Sequence, residues 1–513
     1  MASNGLEADP RQRGAEPQRP QIGTEFDFGG VKERVVTRDD FSLARARQTL
    51  RDETIAIIGY GVQGPAQGLN LRDNGFNVVV GQREGPTYDK ALLDGWVPGV
   101  NLFSIEEAVK RATQPQERRL IPGQVQYLLS DAGQKEVWPN ILPLLRRGTN
   151  VYFSHGFSYT FRDQSGVVPR DDNDVTMVAP KGPGRNLRKY FMDGRGVNSS
   201  YAVGQDETGR ALERTLATGM GIGSGFLFET TFEDEVFSDL TGERGVLLGA
   251  VYGLWQGAYN VLRQDNFSPE DAAFHTVEIS TQAISKIIGE KGGDGLLRDL
   301  QNFRPGLVPY FLGGFRSAYE RSRPVFVDLY EKVESGVEAR RVLEANSKPD
   351  YRETLNRELA QIHDSEFGRA ATDVRQRRDS EPVLEGIEDK FDALMAGALV
   401  GIMHVQYELF REKGHKPSEA FNETVEEATQ SLYPLVDRNG IDWMYANCST
   451  TAQRGALDWN GRFRDVLERG FFDAYRQEHT VSQNLIDHIL GSEMWKAGET
   501  VRYLRPENQR LVD

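Results

Sequence analysis

A single cysteine, Cys448, stands in the 513 residues, so neither an intrachain disulfide framework nor a cysteine-rich zinc site can exist, and a reducing compartment fits. Positive charge is also short. Lys and Arg number 61 against 76 Asp and Glu, a net charge of −15 that excludes a general affinity for nucleic-acid phosphates or anionic membranes. Long apolar runs are lacking as well: the stretch around Val246–Val261 is broken by Gly and Gln, and falls short of the roughly 20 apolar residues that span a bilayer. A soluble protein is expected. The start, Met1–Gly30, has no continuous apolar core of a secretory signal, and with Arg, several acids and little Ser it does not resemble an organelle transit peptide. Residues 1–36 therefore read as a mobile tail and the location as cytoplasmic. What is present is globular composition, 38% hydrophobic with 10% aromatic, in a chain long enough for two to four domains of about 150 residues.

From Glu53 to about Phe228 short β-branched runs alternate with polar helical stretches. The strand candidates are Thr54–Ile58, Phe76–Val80, Val125–Ser130, Asn150–Ser154, Val175–Ala179 and Tyr201–Val203. This predicts an α/β Rossmann-type domain over 37–229. Beyond Thr231 the apolar residues recur at helical spacing, predicting an all-α domain over 230–513. Shifting that half by 148 positions matches ten of the 30 residues from Gly249 to Glu278, including Gly249 with Gly397, Gly253 with Gly401, Tyr259 with Tyr407 and Pro269 with Pro417. A duplicated helical unit, about 231–345 and 383–513, follows, with the charged stretch Lys348–Pro382 between the copies.

Gly59-Tyr60-Gly61-Val62-Gln63-Gly64 directly follows the apolar strand Ile55–Ile58, and Pro65 opens the next helix. In such a turn the first glycine permits the bend, the second lets the backbone approach a pyrophosphate, and the third packs helix on strand. After the next strand, Arg83 can pair with a 2′-phosphate and Thr87 can add a hydroxyl, which favours NADPH. Glu84 in the same loop keeps NADH open, since a carboxylate there can accept the ribose hydroxyls.

Glu235, Asp239 and Glu243 recur every fourth residue, stacking three acids on one helical stripe. Like charges at this spacing repel unless a cation offsets them. The second copy has Glu423 and Glu427 at the same spacing. Two acidic pairs in related units predict one shared divalent site, with Mg²⁺ as the ion expected for oxygen ligands and two bridged ions feasible.

At this point the sequence resembles the ketol-acid reductoisomerase family, in its long, plant-like form with a duplicated helical domain. The resemblance runs from about Thr54 to Pro506. It rests on GYGVQGPAQGLNLRD at Gly59–Asp73, SHGF at Ser154–Phe157, VAPKGPG at Val178–Gly184, SDLTGERG at Ser238–Gly245, NETVEEA at Asn422–Ala428 and NCSTTAQRG at Asn447–Gly455. It implies a Mg²⁺-dependent alkyl shift in 2-acetolactate or 2-aceto-2-hydroxybutyrate, then hydride transfer from NADPH to give a 2,3-dihydroxy acid of valine and isoleucine biosynthesis. It further implies Asp239, Glu243, Glu423 and Glu427 as ligands of two Mg²⁺ ions, with Asp239 as the bridge. His155, Lys181, Glu235 and Glu243 would form the catalytic set, Ser449 would contact substrate, and a homodimer or higher homo-oligomer would be the assembly. His155 and Lys181 each follow a strand candidate, at the sheet edge where ligands bind. The cofactor loop departs from the family pattern at Pro86 and Tyr88, where serine-like chemistry is expected. Two other readings compete: a metal-independent 3-hydroxyacid dehydrogenase, and a non-catalytic dinucleotide-binding regulator whose acids are surface charge.

Overall fold

The computed structural model describes residues 21–114, 121–377, 386–477 and 480–509. Ten strands make one sheet: β1 (Thr24–Asp27), β2 (Lys32–Val36), β3 (Ile55–Ile58), β4 (Val78–Gly81), β5 (Leu102–Phe103), β6 (Gln124–Tyr127), β7 (Asn150–Phe153), β8 (Asp174–Pro180), β9 (Ser199–Gln205) and β10 (Leu227–Glu229). Their spatial order is β1-β2-β10-β9-β8-β7-β6-β3-β4-β5. From β8 to β5 all neighbours are parallel, whereas β9 runs antiparallel to β8 and the β1–β2 hairpin joins β10 antiparallel. β3 and β4 are buried throughout, as parallel strands covered on both faces are, and this is why they read as unbroken apolar runs.

The expected tail through residue 36 needs correction in its second part. Residues 1–20 lie outside the described residues, but Thr24–Asp27 and Lys32–Val36 are strands joined through Gly29 and Gly30 at φ 74° and 104°. The Lys-Glu-Arg of β2 hid this strand, because charge there looks solvated. Glu33 is instead buried and accepts hydrogen bonds from the backbone N–H and hydroxyl of Ser418, at the start of the helix Pro417–Phe421.

Past residue 231 the described residues are helical, and the duplication is visible element by element. The helix Pro269–Ala273 and the π-helical turns Phe274–Glu278 and Ser280–Ile284 correspond, at the shift of 148, to the helix Pro417–Phe421 and the π-helical stretch Asn422–Leu432. The copies interlock. Gly–Gln helix Gly249–Gln264 packs on Thr450–Arg476 of the second copy, and Lys390–Glu412 packs on Val308–Glu334 of the first. At these crossings Gly253 faces Phe463, and Gly401 faces Phe315, the same contact at the same shift. The repeated glycines are thus points of backbone approach. Lys390–Glu412 is also long and apolar enough to cross a membrane by length and composition, a feature the sequence reading gave to no segment; 94% of its apolar window is buried in the helical core. Between the copies, Tyr351–His363 and Glu366–Arg377 form amphipathic helices, and residues 378–385 lie outside the described residues.

Candidate active site between sheet and helices

The glycine-rich turn lies between β3 and the helix Gly64–Asp73. Gly59 has φ 99°, and a Cβ there would strike Leu128 and Leu129; a Cβ on Gly64 would strike the carbonyl of Gly59. Gly61 differs, because an added Cβ would meet nothing within 4 Å. Its backbone borders open space in a cavity of about 1170 Å³ that reaches from the loop after β4 to the acidic helices. That volume suits a dinucleotide together with a small substrate. Val62 and Gln63 line the same cavity, and Gln63 donates to the carbonyl of Gly182 at 3.1 Å. Tyr60 contributes backbone only: its ring is buried, its hydroxyl donates to Asp94 and accepts from Trp96. Arg83 and Thr87 line the cavity mouth, where Arg83 is exposed and paired with Glu136 at 2.8 Å and the Thr87 hydroxyl accepts from Gln82.

Glu235, Asp239 and Glu243 project from the helix Phe232–Arg244, whose N-terminus is capped by the Thr231 hydroxyl. Glu423 and Glu427 come from the π-helical stretch of the second copy, a geometry frequent at functional sites. His155 follows β7, with Nδ1 3.2 Å from Glu235 and 3.3 Å from Asp239. Lys181 follows β8, buried, and is paired with Glu423 and, at 3.5 Å, with Glu235. Glu235 also accepts the backbone N–H of Gly156 at 2.6 Å. The sheet's carboxyl edge and both helical copies therefore meet at one point.

Burial sets the protonation of this cluster. It drives the Glu243 and Glu427 carboxyls well above the ordinary carboxylate range, reinforced by the neighbouring acids, and raises Asp239. Burial also pushes Glu423 up to about 8 against the pull of Lys181. Glu235 goes the other way: burial would raise it, but His155 and Lys181 hold it at about 2. His155 is raised to about 10, since Glu235 and Asp239 outweigh its burial. Two cationic side chains thus satisfy Glu235 and one edge of Glu423. Glu243 Oε2, Glu427 Oε2 and Glu423 Oε2 are buried without a hydrogen-bond partner among the described residues. Buried carboxylate oxygens left in this state are costly, and an oxygen-loving divalent cation is the group that fits them.

Ser449 caps the helix Thr450–Arg476, accepting from the N–H of Ala452 at 3.0 Å, and also lines the cavity. The site residues expected from sequence border this cavity except Gly64, Lys181 and Glu423; Lys181 reaches the site through its pairs with Glu235 and Glu423. Asp131 was missed. It lies at the start of the helix Asp131–Ile141 after β6, buried beside the site, and accepts the hydroxyl of Thr451, two residues past Ser449. Its position just past a parallel strand was the available signal.

The duplication does not duplicate the site. At the shift of 148, Asp239 and Glu243 fall on Ile387 and Phe391, and Glu423 and Glu427 fall on His275 and Ile279. The His275 and Phe391 rings pack there at 5.4 Å. Among the described residues this acidic constellation occurs once.

A dinucleotide-type turn on an α/β sheet, facing an acid-lined cavity closed by a helical domain, defines an NAD(P)-dependent oxidoreductase. Residues 49–226 match the family described as acetohydroxy acid isomeroreductase, NADPH-binding domain, and residues 232–380 and 392–507 match ketol-acid reductoisomerase, C-terminal domain. The chain belongs to the ketol-acid reductoisomerase family, oxidoreductases of branched-chain amino acid biosynthesis. It is 50% identical to a ketol-acid reductoisomerase (NAD(+)) of Desulfosudis oleivorans over 69% of this chain and 97% of that one. It is 32% identical to the chloroplastic ketol-acid reductoisomerase of Spinacia oleracea over 88% of this chain and 75% of that one, a span that supports the long form with a duplicated helical domain. Among solved structures, an NADH-preferring ketol-acid reductoisomerase from an uncultured archean matches with TM-score 0.56 and 27% identity, over 67% of this chain and 98% of that one. The competing readings as a 3-hydroxyacid dehydrogenase or a silent binding protein fall with this membership.

Proposed function

We propose that the chain catalyses Mg²⁺-dependent alkyl migration in 2-acetolactate or 2-aceto-2-hydroxybutyrate, followed by reduction with NADPH to the 2,3-dihydroxy acid. The carrying observation is the convergence of Asp239 and Glu243 from one helical copy with Glu423 and Glu427 from the other, with oxygens of the three glutamates buried and without a hydrogen bond among the described residues. These four would hold two Mg²⁺ ions, with Asp239 between them. When bound, the ions supply Lewis acidity at the substrate's hydroxyl and ketone oxygens, and the dinucleotide supplies the hydride. The chain's own groups do the rest. Glu427, in the cavity wall, would take the tertiary hydroxyl proton through a carboxylate oxygen that the ions leave open. Lys181 and His155 offset negative charge as it grows on the substrate oxygens, and Glu235 fixes both cations. Ser449 Oγ orients a substrate oxygen from the helical side, and Leu247, Leu248 and Cys448 give the cavity an apolar wall for the migrating alkyl group.

The chain would divide into its two domains at about residue 230, with the sheet domain holding the cofactor. A cytoplasmic location accords with the single cysteine, and a homodimer or higher oligomer rests on the family resemblance. NADPH oxidation should require both 2-acetolactate and Mg²⁺; folded protein that shows neither NADPH nor NADH oxidation under these conditions would refute the reading. For the cofactor, NADPH is favoured because Arg83 and Thr87 stand where the loop after β4 meets the cavity, at the first turn of the helix Pro86–Leu93. A charge-assisted hydrogen bond of about 1.5–3 kcal/mol is at stake. Arg83→Ala should therefore cut kcat/KM for NADPH about 10-fold or more and leave that for NADH nearly unchanged. Equal effects on both would assign Arg83 to its Glu136 ion pair alone.

A further inference from the structure

Outside the lining of this cavity, His404 and Glu408 occupy successive turns of the helix Lys390–Glu412, and His488 reaches them from the helix Gln483–Gly491. Glu408 Oε1 is 3.4 Å from His404 Nδ1 and 3.0 Å from His488 Nε2, and the three atoms lie within 4.8 Å of one another. The two imidazole rings are 5.3 Å apart. A tetrahedral ion with bonds of about 2.0–2.1 Å places its ligand atoms roughly 3.3 Å from each other, so these spacings are those of a ligand triangle.

Hydrogen bonding alone leaves the cluster incomplete. His404 is fully buried, and its Nε2 has no hydrogen-bond partner among the described residues. If Nδ1 carries the proton, it donates to Glu408 at a length well beyond a charge-assisted bond of about 2.7–2.9 Å. If Nε2 carries it, the Nδ1 lone pair faces a carboxylate oxygen. A cation between them resolves the second case. Burial also depresses the basicity of His404 and favours the neutral imidazole that a metal requires. The Tyr319 hydroxyl donates to Glu408 Oε2 at 2.5 Å, fixing the carboxylate with Oε1 turned to the histidines, as outer partners of metal ligands do. The packing of the repeats does not demand this trio: at the shift of 148, His404 and Glu408 correspond to Gln256 and Asn260.

We propose that His404, Glu408 and His488 form a second cation site, taking one Zn²⁺ or similar divalent transition ion in preference to Mg²⁺. Two imidazoles and one carboxylate are borderline-soft ligands, unlike the all-oxygen catalytic set. His488 and Glu408 are partly exposed, which gives the ion a path in and leaves its fourth position to water. The ion would clip the helix Gln483–Gly491, and the following helix Glu493–Leu504, to the core helix Lys390–Glu412. Glu493 already meets Tyr407 and Arg411 there, and Trp495 packs on His404.

The test uses the full chain with Mg²⁺ in excess to fill the acidic site. Added Zn²⁺ should bind at one equivalent and raise the unfolding temperature. Co²⁺ in its place should give the intense visible absorption of a nitrogen-ligated, tetrahedral-type site. His488→Ala, a change at a partly exposed position, should weaken Zn²⁺ binding at least about 10-fold and abolish that absorption, with Mg²⁺-dependent turnover unchanged. Glu408→Gln should behave alike. Identical Zn²⁺ affinity and Co²⁺ spectra in the parent chain and His488→Ala, or no binding beyond the Mg²⁺-filled site, would overturn the proposal and leave a His488–Glu408 ion pair beside a core histidine.

Discussion

Glu423→Gln is expected to lower Mg²⁺-dependent turnover by about 10²- to 10³-fold, the range for losing one charged group from a preorganised electrostatic site. The substitution keeps the side chain's shape but removes a charge that faces both Lys181 and the other acids. Two consequences are separable. Mg²⁺ should stabilise the parent chain against heat, since ions that bind only the folded state add about 2.7 kcal/mol at a hundredfold excess over Kd. The variant should show that stabilisation only at much higher Mg²⁺. Dinucleotide binding should stay nearly the same, because Gly61 and the loop after β4 lie at the other end of the cavity. Equal loss of turnover and of dinucleotide affinity would argue against a metal-ligand role for Glu423. It would point instead to collapse around an unpaired, buried Lys181, whose loss of a partner is itself strongly unfavourable.

The contrast between Glu423 and Asp131 shows what sequence can and cannot carry about this site. Glu235, Asp239 and Glu243 were legible because four-residue spacing is a local property: one helix aligns them whatever surrounds it. Glu423 and Glu427 were legible through the same spacing, although the stretch that holds them is π-helical, a detail that no periodicity announced. The glycine-rich turn needed only its own strand and helix. Asp131 depends on Thr451, 320 residues away, and Glu33 on Ser418, 385 residues away. Without those partners each is an ordinary acid in a polar context. The β1–β2 hairpin reads as tail for the same reason: its inward carboxylate makes sense only once the helix Pro417–Phe421 is placed against it. Tyr60 errs in the opposite direction, since its place in the turn is right while its side chain serves the packing against Trp96.

The matched glycines carry the second large expectation, because they tie the duplication to stability. A Cβ on Gly397 would overlap the carbonyl oxygen of Phe311, in the helix Val308–Glu334 that Lys390–Glu412 crosses. That neighbour is helix backbone, so relief requires the two longest helices of this crossing to part, and a core packed at crystal-like density resists the shift. Gly397→Val should cost at least about 3 kcal/mol, the upper end for overpacked cores, with a lowered unfolding temperature. Turnover should fall with it, since Lys390–Glu412 holds the acidic stretch through Gln406, which donates to the carbonyl of Glu423 at 3.0 Å. Gly461→Ala supplies the control: it lies within the helix Thr450–Arg476, and an added Cβ would meet nothing within 4 Å. There the substitution should stabilise by up to about 1 kcal/mol through helix propensity alone. If Gly397→Val proved as benign as Gly461→Ala, the approach of Gly397 to Phe311 would not limit this crossing, and the interlocking of the two copies would lose its steric explanation there.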